Sequence, residues 1–464
     1  MNRREALTLL AAAPASALEF QSRFEPTAER VWIGPEYWAN PLQDWQLRNG
    51  RIECVVPGGE RNVFLLTHDL TDKSAAFEMR VKCGNINPAE PGREGFVGFR
   101  AGIRGRYNDY RDDAVYGIGM NAGVTADGRL FIGKPDPNLA RIVAALDFVE
   151  LRLRAEPLDS GYKVRLTALD KAGVALADVT RNDVPGEWLR GGVALVCHSG
   201  VVRESPDPAS MVVTMSGLNR KHSERGGNMR FWFSDWRVSG DKFAVHEDRA
   251  WGPILFAMHT ISRGVMKLTA QIAPTEINKK SVKLEVKSAA GAWKQVASSP
   301  IDKEARTATF RVAAWDDRRD TAYRLGFDNQ TFEGIVRKDP REKDKLVVGG
   351  LSCTNDLGFP HSEIVRGLKH FHPDILLFTG DQIYERVGGY GIQRAPIEIA
   401  TLDYLRKWMI FGWAFGDVMR DTPAVCMPDD HDVFHGNVWG AGGRHSEGAG
   451  QPGQDSGGYT QPAP

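Results

Sequence analysis

The run Trp45-Gln-Leu-Arg-Asn-Gly-Arg-Ile-Glu-Cys-Val-Val56 decides the fold class of the amino-terminal half of the chain. Apolar and polar residues alternate on both sides of Asn49-Gly50, and Asn-Gly is the pair a two-residue hairpin turn prefers, because both of its residues must take positive φ. The same period of two returns in Phe77-Glu-Met-Arg-Val81 and in Val149-Glu-Leu-Arg-Leu-Arg154. Asp127-Gly128 marks another turn between two apolar runs, and Gly192-Val-Ala-Leu-Val-Cys197 and Phe231-Trp-Phe-Ser-Asp-Trp-Arg-Val238 close the series. Residues 28–240 are therefore predicted to form an all-β sandwich of two antiparallel sheets.

Two further zones follow. Between 250 and 338, Val282-Lys-Leu-Glu-Val286, Thr307-Ala-Thr-Phe-Arg-Val312 and Tyr323-Arg-Leu-Gly-Phe327 predict a small immunoglobulin-like β-sandwich, and the charged run Lys338–Lys345, which carries Pro340, reads as a linker. Beyond it the pattern changes. Leu346–Leu351, Asp374–Phe378 and Pro423–Met427 read as buried strands, while Ser362, as a helix cap, leads an apolar face of Ile364, Val365, Leu368 and Phe371. Pro396 opens a second helix whose face is Ile399, Leu402, Leu405, Met409 and Trp413. Strand and helix alternating in this order predict a parallel sheet, an α/β domain over 345–464.

Composition agrees with this multidomain reading. A chain of 464 residues that is 42% apolar can fill two or three cores, since one core stops growing near about 250–300 residues. With 25% charged and 9% aromatic residues the chain is not disordered, collagen-like or coiled-coil. Lys+Arg and Asp+Glu are 59 each, and such a balance leaves no nucleic-acid-binding surface in evidence. The five cysteines include no Cys-x-x-Cys, so neither a redox pair nor a zinc ribbon is encoded.

Residues 1–17 read as an address. Arg3-Arg4, the apolar stretch Leu7–Ala13 and the small-x-small Ala15-Ser16-Ala17 form an export signal of the twin-arginine type, with an ordinary Sec signal as the rival. The expected partner is then the twin-arginine export machinery, and the expected location periplasmic or extracellular. The apolar stretch is too short for a membrane anchor, and no later run is long enough to span a bilayer.

Chemistry concentrates where the three buried strands end. The first runs into Ser352-Cys353-Thr354-Asn355, the second into Thr379-Gly380-Asp381-Gln382-Ile383-Tyr384-Glu385, and the third into Asp429-Asp430-His431-Asp432. Ligands of parallel sheets bind at such carboxyl ends. Carboxylates suit hard cations, thiolate and phenolate suit ferric iron or another transition ion, and a cation removes the repulsion between neighbouring acids.

Gly380-Asp381-x-x-Tyr384-Glu385 followed by Asp429-Asp430-His431-Asp432 resembles the PhoD-like alkaline phosphatases, a branch of the calcineurin-like metallophosphoesterases. Ser352-Cys353, the export signal and an immunoglobulin-like domain before the catalytic domain suit that family too. The resemblance spans 345–440 most clearly, 250–338 less so, and the amino-terminal sandwich not at all. It implies iron and calcium as cofactors and a phosphate-ester substrate. By the same resemblance, Asp381 bridges the metals, Cys353 and Tyr384 bind iron, and Asp430 binds the second cation. Asp429 stays open as a cap or a ligand. His431 contacts the phosphate or protonates the leaving oxygen, and Asp432 orients His431. Residues 28–240 resemble the concanavalin-like jelly rolls of secreted bacterial proteins, which implies glycan as a further partner if Trp32, Trp38, Trp45, Trp232 or Trp236 is exposed; the other reading puts these residues in the core.

Gly-rich sequence with His435 and His445 follows His431 and ends in Gln-Pro-Ala-Pro. It reads as a loop cut short, making 345–464 an incomplete catalytic domain. The expected function is an exported metal-dependent phosphoesterase, an alkaline phosphatase or phosphodiesterase, that is weakly active or inactive as the sequence stands. The alternative is a secreted glycan- or surface-binding protein with a vestigial phosphatase part.

Overall fold

A computed structural model describes residues 19–432, apart from 88, 91–93, 137, 139–145, 206–224, 278–279 and 394. The export signal, His435 and His445 lie outside the described residues.

The Asn-Gly hairpin forms as its sequence dictates. Trp45–Arg48 pairs antiparallel with Arg51–Cys54, closing on Arg48 opposite Arg51, and Asn49 and Gly50 take φ of 53° and 69°. The hairpin is one end of an eight-stranded sheet that also contains Phe77–Asn85, Val149–Pro157 and Phe231–Ser239. A seven-stranded sheet, with Arg61–Leu70, Gly95–Arg104 and Gly191–Ser199 at its centre, packs against it. Alternate residues of both sheets meet in one core, among them Leu47, Ile52, Met79, Val81, Leu151, Val97, Phe99 and Leu195. Trp32, Trp38, Trp45 and Trp236 are buried. Trp232 is half-buried beneath the Arg51 guanidinium, 5.2 Å from its ring centre. These tryptophans are spent on packing, not displayed.

The middle zone is a second, smaller sandwich. Its three-stranded sheet, Ile254–Ser262, Val265–Ile272 and Thr307–Val312, shares a core with a four-stranded one, Trp293–Pro300, Ser281–Lys287, Thr321–Phe327 and Gln330–Val336.

The last zone has the parallel sheet. Val348–Leu351, Ile375–Phe378 and Ala424–Cys426 run side by side with Ile375–Phe378 central. The expected cap of its first helix, Ser362–Phe371, fails. The residue at its amino-terminal boundary is His361, in the left-handed region at φ 58°, and Ser362 Oγ donates to Asp109 Oδ2 of the large sandwich at 3.0 Å instead. The helix also buries none of its residues fully; Val365 and Leu368 pack partly, but Phe371 is 71% exposed and Ile364 is exposed as well. Its periodicity is amphipathic, yet nothing among the described residues covers that end of the stripe.

The long helix Ile397–Met419 does the opposite. Leu405, Met409 and Trp413 are buried as expected, in a core that takes residues from all three zones. Trp413 lies 4.9 Å from Trp38 of the large sandwich and stacks on Trp251 at the same distance. Phe256 of the small sandwich fills the space at Gly412, where an added Cβ would come within 2.0 Å of the ring. Asp403, Arg406 and Lys407 are fully buried in this helix, and Gln43 of the large sandwich donates to Asp403 at 3.1 Å. Among the described residues no helix is long and apolar enough to cross a membrane.

Candidate metal centre

The parallel sheet brings the three strand ends together by backbone hydrogen bonds. Thr379 N donates to Leu351 O at 2.8 Å, and Met427 N to Phe378 O at 2.9 Å. Beyond the strands, Cys353 N donates to Gly380 O at 3.1 Å and Thr354 N to Asp381 O at 3.0 Å. Cys353 and Asp381 both sit in the left-handed region, each at φ 53°. That conformation costs a non-glycine residue on the order of 1–3 kcal/mol and persists only where the surroundings over-determine it. Gly380, at φ 109°, touches the third strand end: a Cβ there would lie 2.3 Å from Asp429 Cβ.

Two groups of side chains share Asp381. On one side, Tyr384 Oη donates to Asp381 Oδ2 at 2.9 Å, Cys353 Sγ lies 3.6 Å from the same oxygen, and Ser352 Oγ lies 3.3 Å from Cys353 Sγ. On the other, Asp381, Asp430 and His431 offer ligand atoms within 4.8 Å of one another. Asp381 itself is buried, and its Oδ1 has no hydrogen-bond partner among the described residues. A buried carboxylate oxygen left unpaired is costly, and a cation would satisfy it. Burial first, then the hydrogen bonds to Cys353 and Asp381, push the Tyr384 phenol above its ordinary pKa, so phenolate here requires a cation to displace the proton. Cys54, Cys83 and Cys197 are buried, and burial, ahead of the nearby Asp432 charge, pushes the Cys426 thiol up to about 12. Cys353 is the exposed cysteine, which does not suit the packing role that buried cysteines fill. Asp381, Asp430 and His431 are spaced as the ligands of one cation would be, and Cys353 and Tyr384 flank Oδ2 of Asp381.

The third strand end departs from expectation. The carboxylate of Asp432 does not orient His431. It accepts backbone N–H groups from Asp381 at 2.8 Å, Asp429 at 3.0 Å and Ile383 at 3.1 Å, and so ties the second and third strand ends together. Burial raises its pKa against the lowering effect of those donors. The residue facing the imidazole is Glu385, whose oxygens lie 2.9 and 3.0 Å from His431 Nδ1. A carboxylate only accepts, so this contact places the proton on Nδ1. Glu385 stands in the quoted motif beside Tyr384, but nothing in its spacing connects it with a histidine of a later strand end. Asp429 accepts from Asp430 N at 2.9 Å and lies outside the Asp381, Asp430 and His431 group; of the two roles left open for it, the turn-capping one matches this contact. Asn355 caps its own turn by accepting from Leu357 N at 3.0 Å. His361 stacks on Phe415 at 5.4 Å, and burial pushes its pKa down to about 4.

No protein-family model matches the chain, and no curated protein matches it. Solved structures resemble part of it. The basic winged bean lectin, solved with Tn-antigen, is 11% identical and covers 48% of this chain and 98% of its own, at a TM-score of 0.32. The Emp47p carbohydrate recognition domain is 10% identical, covers 49% of this chain and 99% of its own, and scores 0.30. Lectin II from Ulex europaeus is 8% identical, with 49% and 99% coverage and a score of 0.32. At such scores the likeness carries no functional argument; the antiparallel sandwich stands on its own strand pairing.

Proposed function

We propose that the chain is a metal-dependent phosphoesterase, similar to the PhoD-like alkaline phosphatases and exported from the cytoplasm. The observation that supports this reading is Asp381, which belongs to both side-chain groups at the strand ends and keeps one buried oxygen without a partner. Cys353, Tyr384 and Asp381 would hold iron, and Asp381 and Asp430 would hold calcium. When bound, the ions supply the positive charge that a phosphoryl transition state needs and the acidity that makes water a nucleophile. The residues of the chain do the rest. Glu385 holds the Nδ1 proton of His431, which leaves Nε2 as the nitrogen for substrate. Asp432 fixes Asp381 by its backbone and so sets where the shared carboxylate points. The test is hydrolysis of bis-p-nitrophenyl phosphate and p-nitrophenyl phosphate at alkaline pH by protein supplied with iron and calcium. Turnover should fall at least a hundredfold, on the order of 2.7 kcal/mol, in Asp381→Ala; turnover equal in the two proteins overturns the proposal.

A second reading, glycan binding through residues 28–240 with a vestigial phosphatase part, draws on the two large antiparallel sheets of that zone. Burial of Trp32, Trp38, Trp45 and Trp236 removes the obvious stacking platforms. Retention on immobilised polysaccharide would favour it, and passage without delay would count against it.

A further inference from the structure

The large sandwich touches the strand-end loops at more than one place, for Tyr390 Oη donates to Glu60 O at 2.8 Å, but one segment reaches two of the loops at once. Between its strands Gly95–Arg104 and Ile118–Thr125 lies the helix Tyr110–Tyr116, and the residues around it hold the turn Asp356–Gly358, which begins three residues after Cys353. Arg106 donates to Asp356 O at 3.0 Å and to Leu357 O at 3.3 Å, and Tyr107 Oη donates to Leu357 O at 2.6 Å. The guanidinium of Arg106 is fixed in turn by buried Asp112 and lies 4.4 Å from the ring centre of Tyr116.

Tyr116 makes a contact of another kind. It is buried, and its hydroxyl donates to Asp356 Oδ2 while accepting from Gly388 N at 3.0 Å. Asp356 follows Cys353 in one strand-end loop, and Gly388 follows Tyr384 in the next. A single phenol thus spans the two loops that carry the thiol and the phenol facing Asp381. Gly388 can make this contact because it has no side chain: φ is 80°, and a Cβ would lie 1.9 Å from an Arg406 nitrogen.

We infer that Tyr116 is a positioning residue of the metal centre, and that the amino-terminal sandwich is a structural part of that centre instead of an appended binding module. The consequence for metal rests on the phosphoesterase reading; the bridge itself does not. Removing the hydroxyl takes away the common partner of the Gly388 N–H and the Asp356 carboxylate and leaves their direct hydrogen bond as the link, so both loops gain freedom and the spacing of Cys353 and Tyr384 loosens.

The experiment compares the full chain with Tyr116→Phe, and with Tyr162→Phe as a control that loses a buried phenol bonded to Lys73 and Ala75 elsewhere in the same sandwich. Amide hydrogen exchange of the metal-free proteins is followed at Gly388 and over Thr354–Phe359, and cobalt(II) alone is titrated while the thiolate-to-cobalt absorption band of Cys353 is recorded. Tyr116→Phe should speed exchange at both loops about tenfold and weaken cobalt binding to a similar degree, with Tyr162→Phe unchanged at these positions. Should Tyr116→Phe fail to fold, Asp356→Ala replaces it: it removes the acceptor of the Tyr116 hydroxyl and should speed exchange over Thr354–Phe359 and at Gly388 alike. Unchanged exchange at both loops overturns the bridge. A wild-type chain that takes up no cobalt sinks the phosphoesterase reading instead, and exchange at Gly388 still decides the role of Tyr116.

Discussion

Asp432 accepts the backbone N–H of Asp381 at 2.8 Å across a sequence separation of 51 residues. One buried carboxylate thereby sets the conformation of the residue on which the proposed site turns. Asp432→Ala would leave the amides of Asp381, Ile383 and Asp429 without their acceptor, at a cost of about 2–4 kcal/mol. Asp432→Asn keeps one oxygen and should lose roughly half of that. Urea denaturation of the three proteins checks the order; equal midpoints would contradict it.

Gly380 is fixed by its neighbour. With φ at 109° and Asp429 Cβ standing 2.3 Å from where a methyl would be, Gly380→Ala must push two strand ends apart. We expect destabilisation of about 2–3 kcal/mol and loss of cobalt uptake, whereas Gly291→Ala, whose added Cβ meets no atom within 4 Å, should leave cobalt uptake intact. Thermal melts and a cobalt titration check both.

The Asp403, Arg406 and Lys407 group is fully buried and binds the long helix to Gln43 of the large sandwich. Asp403→Ala would strand two cations in the core and should cost about 3–5 kcal/mol. Asp403→Asn should cost less, because its amide oxygen still accepts. A chain that tolerates Asp403→Ala without a change in melting would refute this account of the interface.

Acid should weaken the fold through buried histidines. His259 is 1% exposed, and burial, with a smaller effect of Arg337, pushes its pKa down to about 4. A histidine whose folded pKa lies below its unfolded value of about 6.5 binds its proton first in the unfolded chain. Its stability contribution is therefore intact above pH 6.5 and is lost progressively between about 6.5 and 4, at about 1.4 kcal/mol per unit of pH. His361 acts in the same direction. Urea midpoints measured from pH 7 to 4.5 should fall, and fall less steeply in His259→Leu.

What the sequence discloses here follows the range of each interaction. The Asn49-Gly50 hairpin is legible because its turn chemistry is local. The strand ends at Cys353, Asp381 and Asp430 are legible because a parallel sheet delivers them to one edge whatever the loops do. Tyr116 is not legible: 240 residues separate it from Asp356, and no period or motif links them. The contact of Trp38 with Trp413 is hidden for the same reason. The helix Ser362–Phe371 shows the converse, since its amphipathic pattern is plain in the sequence while Phe371 stays exposed. Asp432 was legible as a residue of the site but not as to its partner, because several backbone amides compete for a carboxylate with a neighbouring imidazole.

The central claim is that Asp381 is the carboxylate shared by two bound cations. It is tested most directly by the metal content of the full chain, measured by plasma emission after loading with iron and calcium and removal of free metal, beside Asp381→Ala and Cys353→Ser. The wild-type chain should retain one iron and one calcium; Asp381→Ala should retain neither, and Cys353→Ser should lose iron while keeping calcium. Metal retained equally by the wild-type chain and Asp381→Ala, or by neither, would contradict the claim.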